Sequence, residues 1–396
     1  MTGNTPKDGA EDDFPEVEVI AELEPMIDNP SAPTVGGRAA SGIVWLTLQK
    51  WVIRIFGFVT IMLLTRLLSP EEFGTVAAAS TVLPFFYLLA DLGFAAYLVQ
   101  VEKTTPRMLS TAFWFSLLAG AALWGLLFVL APVFGIVFAD DAVVPVLQVL
   151  SLWVIITAVG SVPSAILRRE MRFKAIAGLG AIAALIAQVV AIAMAFTGFG
   201  VWALVAQSIV SPVVVTALTW WMTRWVPRFA FSWPDFRKLA GFGSQVLGVE
   251  FIAMLRAWGE AAVISRVLGV SAFGYMSIAQ RLVQVVQELT GSAIVPVTNV
   301  AFAKIRESVA RLRAAYLKAL KLTYAALSLP MVFVAVAAPL LVPLLFGGDW
   351  DASIIPAQLL AIAGILALGA WLDHGLFYGV GRPGTWLIYA LVIDAL

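Results

Sequence analysis

The chain has 396 residues, of which 61% are hydrophobic and only 13% charged, against roughly 45–50% and roughly 25% in soluble domains, which excludes an ordinary soluble enzyme. Its formal net charge is zero, but residues 1–38 hold nine acids and two bases, leaving 23 bases against 16 acids in the rest. With no cysteine and a single histidine, His374, disulfides, thiolate zinc sites, iron–sulfur clusters and histidine metal clusters are excluded as well. No cofactor and no nucleic-acid partner is expected.

In chain order, residues 1–40 read as a disordered acidic cytoplasmic tail. They lack the basic start, apolar stretch and cleavage site of a signal peptide and carry too much charge to build a core. Apolar runs that meet the length of a span, about 20 residues, follow near Gly42 to Leu64, Thr75 to Val99, Ser110 to Leu130, Val144 to Leu167, Ile176 to Phe196 and Val201 to Met222. A second group runs near Ala240 to Leu268, Gly274 to Ala303, Ala319 to Phe346, Ile354 to Val380, and Thr385 to the end. The expected fold class is an all-α polytopic membrane protein of about eleven spans. The last run has twelve residues, about 18 Å of helix against roughly 30 Å of hydrocarbon, so the second half is expected to be incomplete.

Basic residues resist translocation and hold short loops in the cytoplasm. With the N-terminus inside, the inner connections collect Lys103 and Arg107, the group Arg168 to Lys174, the group Arg224 to Lys238, the group Lys304 to Lys321, and Arg382. The outer connections hold at most Arg66 and Arg266 and carry the acids Asp140, Asp141, Asp349 and Asp351. A multi-pass membrane protein with a cytoplasmic N-terminus is the expected topology.

A shift of 200 residues aligns Thr65-Arg66-Leu67-Leu68 through Phe73-Gly74 with Ser265-Arg266-Val267-Leu268 through Phe273-Gly274. The chain is therefore read as two parallel six-helix repeats, the second incomplete: an N-terminal lobe over 41–239 and a C-terminal lobe over 240–396. Such repeats place their site between the halves near the midplane. Ser69-Pro70-Glu71-Glu72 predicts a capping box that opens the second span. Arg66 and Arg266 have two readings, neutralising the C-terminal dipole of the span just before them or acting at an outer gate.

Ionisable groups within a span cost about 2.5–3.5 kcal/mol each on insertion scales and face a cavity or a partner. Here they fall on spans 1, 2, 7 and 8: Lys50 and Arg54 one turn apart, Asp91, then Glu250, Arg256 and Glu260, then Arg281, Gln284 and Glu288 along one stripe. The expectation is a hydrated cavity between the halves. Lys50, Arg54, Arg256, Arg281 and Gln284 would line it and take an anion such as a diphosphate, which arginine grips bidentately. The acids Asp91, Glu250, Glu260 and Glu288 are candidates for a coupling proton or sodium ion, or else balance nearby bases. Asp373 beside His374 is a weaker titratable pair, and the basic stretch from Lys304 to Lys321 faces solvent or anionic membrane lipids.

Four stretches, 65–74 (TRLLSPEEFG), 91–100 (DLGFAAYLVQ), 167–175 (LRREMRFKA) and 198–207 (GFGVWALVAQ), resemble the Wzx-type polysaccharide flippases of the multidrug/oligosaccharidyl-lipid/polysaccharide exporter superfamily. The resemblance covers about residues 40–396. It implies two six-helix lobes that alternate between inward- and outward-open states, and a polyprenyl-diphosphate-linked oligosaccharide as substrate. It also implies ion coupling, with the cavity cations on the diphosphate, and a place beside polysaccharide polymerase and export machinery. A drug/cation antiporter of the same superfamily would want an acidic cavity. A membrane-embedded glycosyltransferase or polymerase would want a larger outer loop, and no GxxxxGK[ST] phosphate loop is present for an ATP-driven pump.

Overall fold

The computed structural model describes residue 51 and residues 53–101, 104–291 and 309–379. The described residues are almost entirely helical, with no strand among them. In order the helices are α1 (Ile53–Leu64), α2 (Pro70–Asp91), α3 (Phe94–Gln100), α4 (Pro106–Phe138), α5 (Val143–Leu150), α6 (Leu152–Arg169), α7 (Phe173–Phe196) and α8 (Val201–Thr223). After a connection over 224–232 come α9 (Trp233–Leu268), α10 (Val270–Gly291), α11 (Val309–Phe346), a 3₁₀ turn (Gly348–Ser353) and α12 (Ile354–Gly379).

Seven helical stretches in this set are long and apolar enough to cross a membrane. The helices α9 and α10 are long enough too, but Arg256, Glu260 and Arg281 interrupt their apolar runs. The acidic tail, and the final run from Thr385, lie outside the described residues. Side chains that point away from the bundle are apolar: Leu329, Val336 and Leu340 on α11 are each more than two-thirds exposed, at spacings of seven and four that form one stripe. Lipid is the medium that covers such a face.

Local chemistry sets the helix ends. Ser69 caps α2 as the sequence predicts: the Ser69 backbone N–H donates to Glu72 Oε2 at 2.8 Å and the Glu72 N–H donates to Ser69 Oγ at 3.3 Å. Thr105 does the same for α4 through Met108. The span expected over Thr75 to Val99 is broken. Leu92 and Gly93 both take positive φ, 47° and 68°, so the helix stops at Asp91 and restarts at Phe94. Asp91 Oδ2 accepts from the Ala95 N–H at 3.3 Å, supplying a cap for the restarted helix.

Two ends of the bundle differ in charge. At one, the 224–232 connection is pinned to the first turns of α4: the Arg228 N–H donates to Ser110 Oγ, the Ser232 N–H to Thr111 Oγ1, and Trp114 Nε1 to the Arg228 carbonyl. Arg169 donates to the Leu98 carbonyl at 3.1 Å near the same end. At the other, Thr75 Oγ1 donates to Asp140 Oδ2 at 2.7 Å, and Trp350, on the 3₁₀ turn, is fully buried. Its indole N–H donates to the Thr65 carbonyl at 2.8 Å, and its ring meets Phe73 and Tyr275 edge-on, with centroids 5.1 and 6.0 Å away. One side chain thus ties α1, α2, α10 and the 3₁₀ turn together. Trp350→Ala is expected to destabilise by about 3–5 kcal/mol, whereas Ala at the exposed Trp221 should change little. Thermal unfolding in detergent compares the two.

Candidate functional site

Two chambers lie among α1, α2, α7, α8 and α10. The larger, about 500 Å³, is lined by Ile53, Arg54, Gly57 and Phe58 of α1, Gln188 of α7, Gln207 and Ser208 of α8, and Arg281 and Val285 of α10. The second, about 320 Å³, shares Ile61, Gln207, Ser208 and Arg281 with the first. It ends against the first turns of α2, at Phe73 and Val76, and of α10, at Ser277 and Ile278, with Ser80, Gln280 and Gln284 on its wall. Both volumes are in the range of small-molecule sites.

The structure therefore brings Arg54 and Arg281 to one chamber, from helices far apart in sequence, and Gln284 to the next. Arg256 is different: it is exposed on α9 and is absent from the lining of both chambers. Lys50 lies outside the described residues, as do the side chains of Glu250, Glu288 and His374. Among the acids, Asp91 is buried at the break after α2, where it caps α3. Glu260 reaches the chamber wall indirectly, accepting from Gln280 Nε2 at 3.5 Å. Asp373 accepts from the Tyr316 hydroxyl at 2.6 Å, joining α12 to α11.

Sequence reading missed the uncharged residues that α7 and α8 place on the lining. Gln188 and Gln207 sit on helices with no charge in their interiors, so a search for ionisable residues passes over them. A single amide in an otherwise apolar span is the signal that would have found them.

The chambers close where the two halves of the chain cross. Gly74 of α2 and Gly274 of α10 sit back to back: a Cβ on Gly74 would stand 2.0 Å from the Val270 carbonyl oxygen, and one on Gly274 would stand 2.0 Å from that of Pro70. Only glycine permits backbones to approach so closely. The flanking arginines are reciprocal as well. Arg66 Nη2 donates to the Leu344 carbonyl at 2.8 Å, and Arg266 Nη1 donates to the Ile136 carbonyl at 2.9 Å. Leu344 and Ile136 each stand two residues before the C-terminus of a long helix, α11 and α4, where carbonyls carry the negative end of the dipole; the Ile136 carbonyl also accepts from the Ala139 N–H at 3.3 Å. Each arginine thus caps a helix of the opposite half, not the span just before it.

Two guanidinium groups, amides and hydroxyls, with no carboxylate among the described residues that line either chamber, make a wall of hydrogen-bond donors suited to an anionic oxygen cluster. The comparisons with known proteins agree in kind. A family described as "Polysaccharide biosynthesis protein" matches residues 63–355. The succinoglycan biosynthesis transport protein ExoT of Rhizobium meliloti (strain 1021) is 30% identical over 339 residues, covering 85% of this chain and 67% of that protein. The lipopolysaccharide biosynthesis protein WzxC of Escherichia coli (strain K12) is 24% identical over 335 residues, 83% of this chain and 67% of that one. Among solved structures, the lipid II flippase MurJ in an inward closed conformation superposes with a TM-score of 0.71 at 14% identity, over 89% of this chain and 79% of that one. An inward-facing MATE multidrug transporter of the MOP superfamily gives 0.67 at 18%, over 88% and 86%. These two likenesses show the fold. Family match, relatives and helical architecture together make the chain a multi-pass membrane protein of the polysaccharide biosynthesis protein family.

Proposed function

We propose that the chain is a flippase that carries polyprenyl-diphosphate-linked oligosaccharide from the inner to the outer leaflet of the bacterial cytoplasmic membrane for exopolysaccharide or lipopolysaccharide assembly. The observation that carries this reading is the convergence of Arg54 and Arg281 on one chamber inside a bundle whose outer faces are apolar. Two guanidinium groups that face one chamber favour an anion there, and a diphosphate supplies oxygens for both forks. The polyprenyl tail stays in lipid while the head group occupies the chambers. The transport function of ExoT and the flippase function of MurJ favour the same direction. A chamber whose described lining holds arginines and no carboxylate disfavours a cationic drug as cargo.

In this reading the basic end faces the cytoplasm, with the N-terminus on the same side, and the Gly74–Gly274 crossing with its two arginine clasps is the closed outer gate. Alternating access then requires the clasps to release and the crossing to part. A proton or sodium gradient drives the cycle, with Glu260 the described acid in contact with the chamber wall. Polymerase and export machinery receive the product at the outer face. The test is a reconstituted flipping assay with a fluorescent polyprenyl-diphosphate oligosaccharide, with and without an imposed ion gradient. Gradient-stimulated loss of inner-leaflet label is expected. Transfer or lengthening of the sugar without movement would replace transport by an enzymatic role.

A further inference from the structure

Gln188 lies in the middle of α7, only 8% exposed, with apolar neighbours along the helix on both sides. It lines the chamber that holds Arg54 and Arg281, and one end of its amide has no hydrogen-bond partner. Buried amides in a membrane protein are expensive and are paired in the working state. The unpartnered atom, Oε1, is covered from the chamber, and rotation of the side chain, which lines the chamber wall, would bring it to a polar group that enters. Gln207 is one turn of chemistry further: it lines both chambers beside Ser208, on a helix with no other amide.

In the larger chamber the two kinds of group divide by element. Charge comes from α1 and α10, through Arg54 and Arg281; uncharged donors and acceptors come from α7 and α8, through Gln188, Gln207 and Ser208. A diphosphate needs donors alone. An amide offers a donor and an acceptor together, which is the pairing that a sugar hydroxyl, itself donor and acceptor, requires. Resting on the flippase reading above, we infer that Gln188 and Gln207 are specificity-determining residues that read the glycan, while Arg54 and Arg281 hold the diphosphate whatever sugar it carries. A site built to pair a hydroxyl rejects ligands that leave its polar groups unpaired, so these two positions set which saccharide is accepted.

The test separates the two levels. Binding of short-chain polyprenyl diphosphate, bare or carrying a hexose or a hexosamine, is measured by native mass spectrometry for the wild-type chain, Gln188→Leu, Gln207→Leu and the milder Gln188→Asn. The wild type should prefer at least one glycosylated lipid over the bare one by about tenfold. The leucine variants should lose that preference, with thermal unfolding in detergent reporting that they are folded, and Gln188→Asn should retain part of it. A wild type that binds bare lipid with no gain from any sugar, or leucine variants that keep the full gain, would overturn the assignment of the glutamines alone. If the wild type bound neither bare nor glycosylated lipid, the flippase reading itself would fall.

Discussion

Gly74→Ala should force open the clasped end of the bundle. The added Cβ would meet the Val270 carbonyl oxygen at 2.0 Å, and a backbone atom cannot turn aside as a side chain does. Overpacking costs about 1–3 kcal/mol where side chains can adjust. Against backbone the upper figure applies, and about 3 kcal/mol moves a closed-to-open ratio by roughly a hundredfold. Gly274→Ala should do the same, because Pro70 meets it at the same 2.0 Å. Gly125→Ala on α4 is the control, with nothing within 4 Å of its Cβ, and should leave the ratio alone. Because the chain has no cysteine, spin labels can be placed by Asp141→Cys and Asp351→Cys, exposed positions on opposite halves beside the crossing. Longer label distances in both alanine variants at the crossing are expected. Unchanged distance distributions would mean that the crossing is not what holds this end shut.

Arg281→Ala should cost more binding of a lipid diphosphate than any other single change in the chambers, because Arg281 lines both of them. A hydrogen bond to a charged group contributes about 1.5–3 kcal/mol, so the loss should be roughly 10- to 150-fold. Arg54→Ala should fall in the same range, and the double variant short of their product, since both would act on one ligand group. Arg281→Lys keeps the charge and loses the planar fork, so an intermediate loss is expected. Arg256→Ala is the informative comparison. Sequence alone groups Arg256 with Arg54; its exposed position on α9, off both chambers, predicts a much smaller effect. Titration of the bare lipid diphosphate onto each variant measures this, and equal losses at Arg256 and Arg281 would contradict the placement of the site.

Several features were legible in the sequence because they follow from local rules. The membrane requires helices of a set length, so the apolar runs marked most of the elements. Ser69, Pro70 and Glu72 announced the start of α2 through capping chemistry alone. The break at Leu92-Gly93 was hidden because the apolar pattern continues through it, and only the backbone shows the left-handed turn. Asp91 was read as a candidate coupling acid or a partner of a nearby base, and its capping of the restarted helix was not visible. Trp350 passed unnoticed between two acids that mark a loop, yet it is the buried plug of the clasped end. Arg66 and Arg266 were read either as dipole partners or as gate residues. In the structure each meets a helix terminus, that of the opposite half. Such pairings cannot be read along one chain because they depend on which helices meet.

The central claim is that one cavity, holding Arg54 and Arg281, takes the lipid diphosphate and opens to one face of the membrane at a time. Ser208 lines both chambers, and Ser208→Cys would be the only thiol in the chain. Labelling of that thiol by a membrane-impermeant reagent, applied to either face of oriented proteoliposomes, tests the claim most directly. The account predicts labelling from the basic face at rest, protection by polyprenyl diphosphate, and labelling from the opposite face when Gly74→Ala is added. Labelling that is indifferent to the lipid, or equal from both faces at rest, would contradict it.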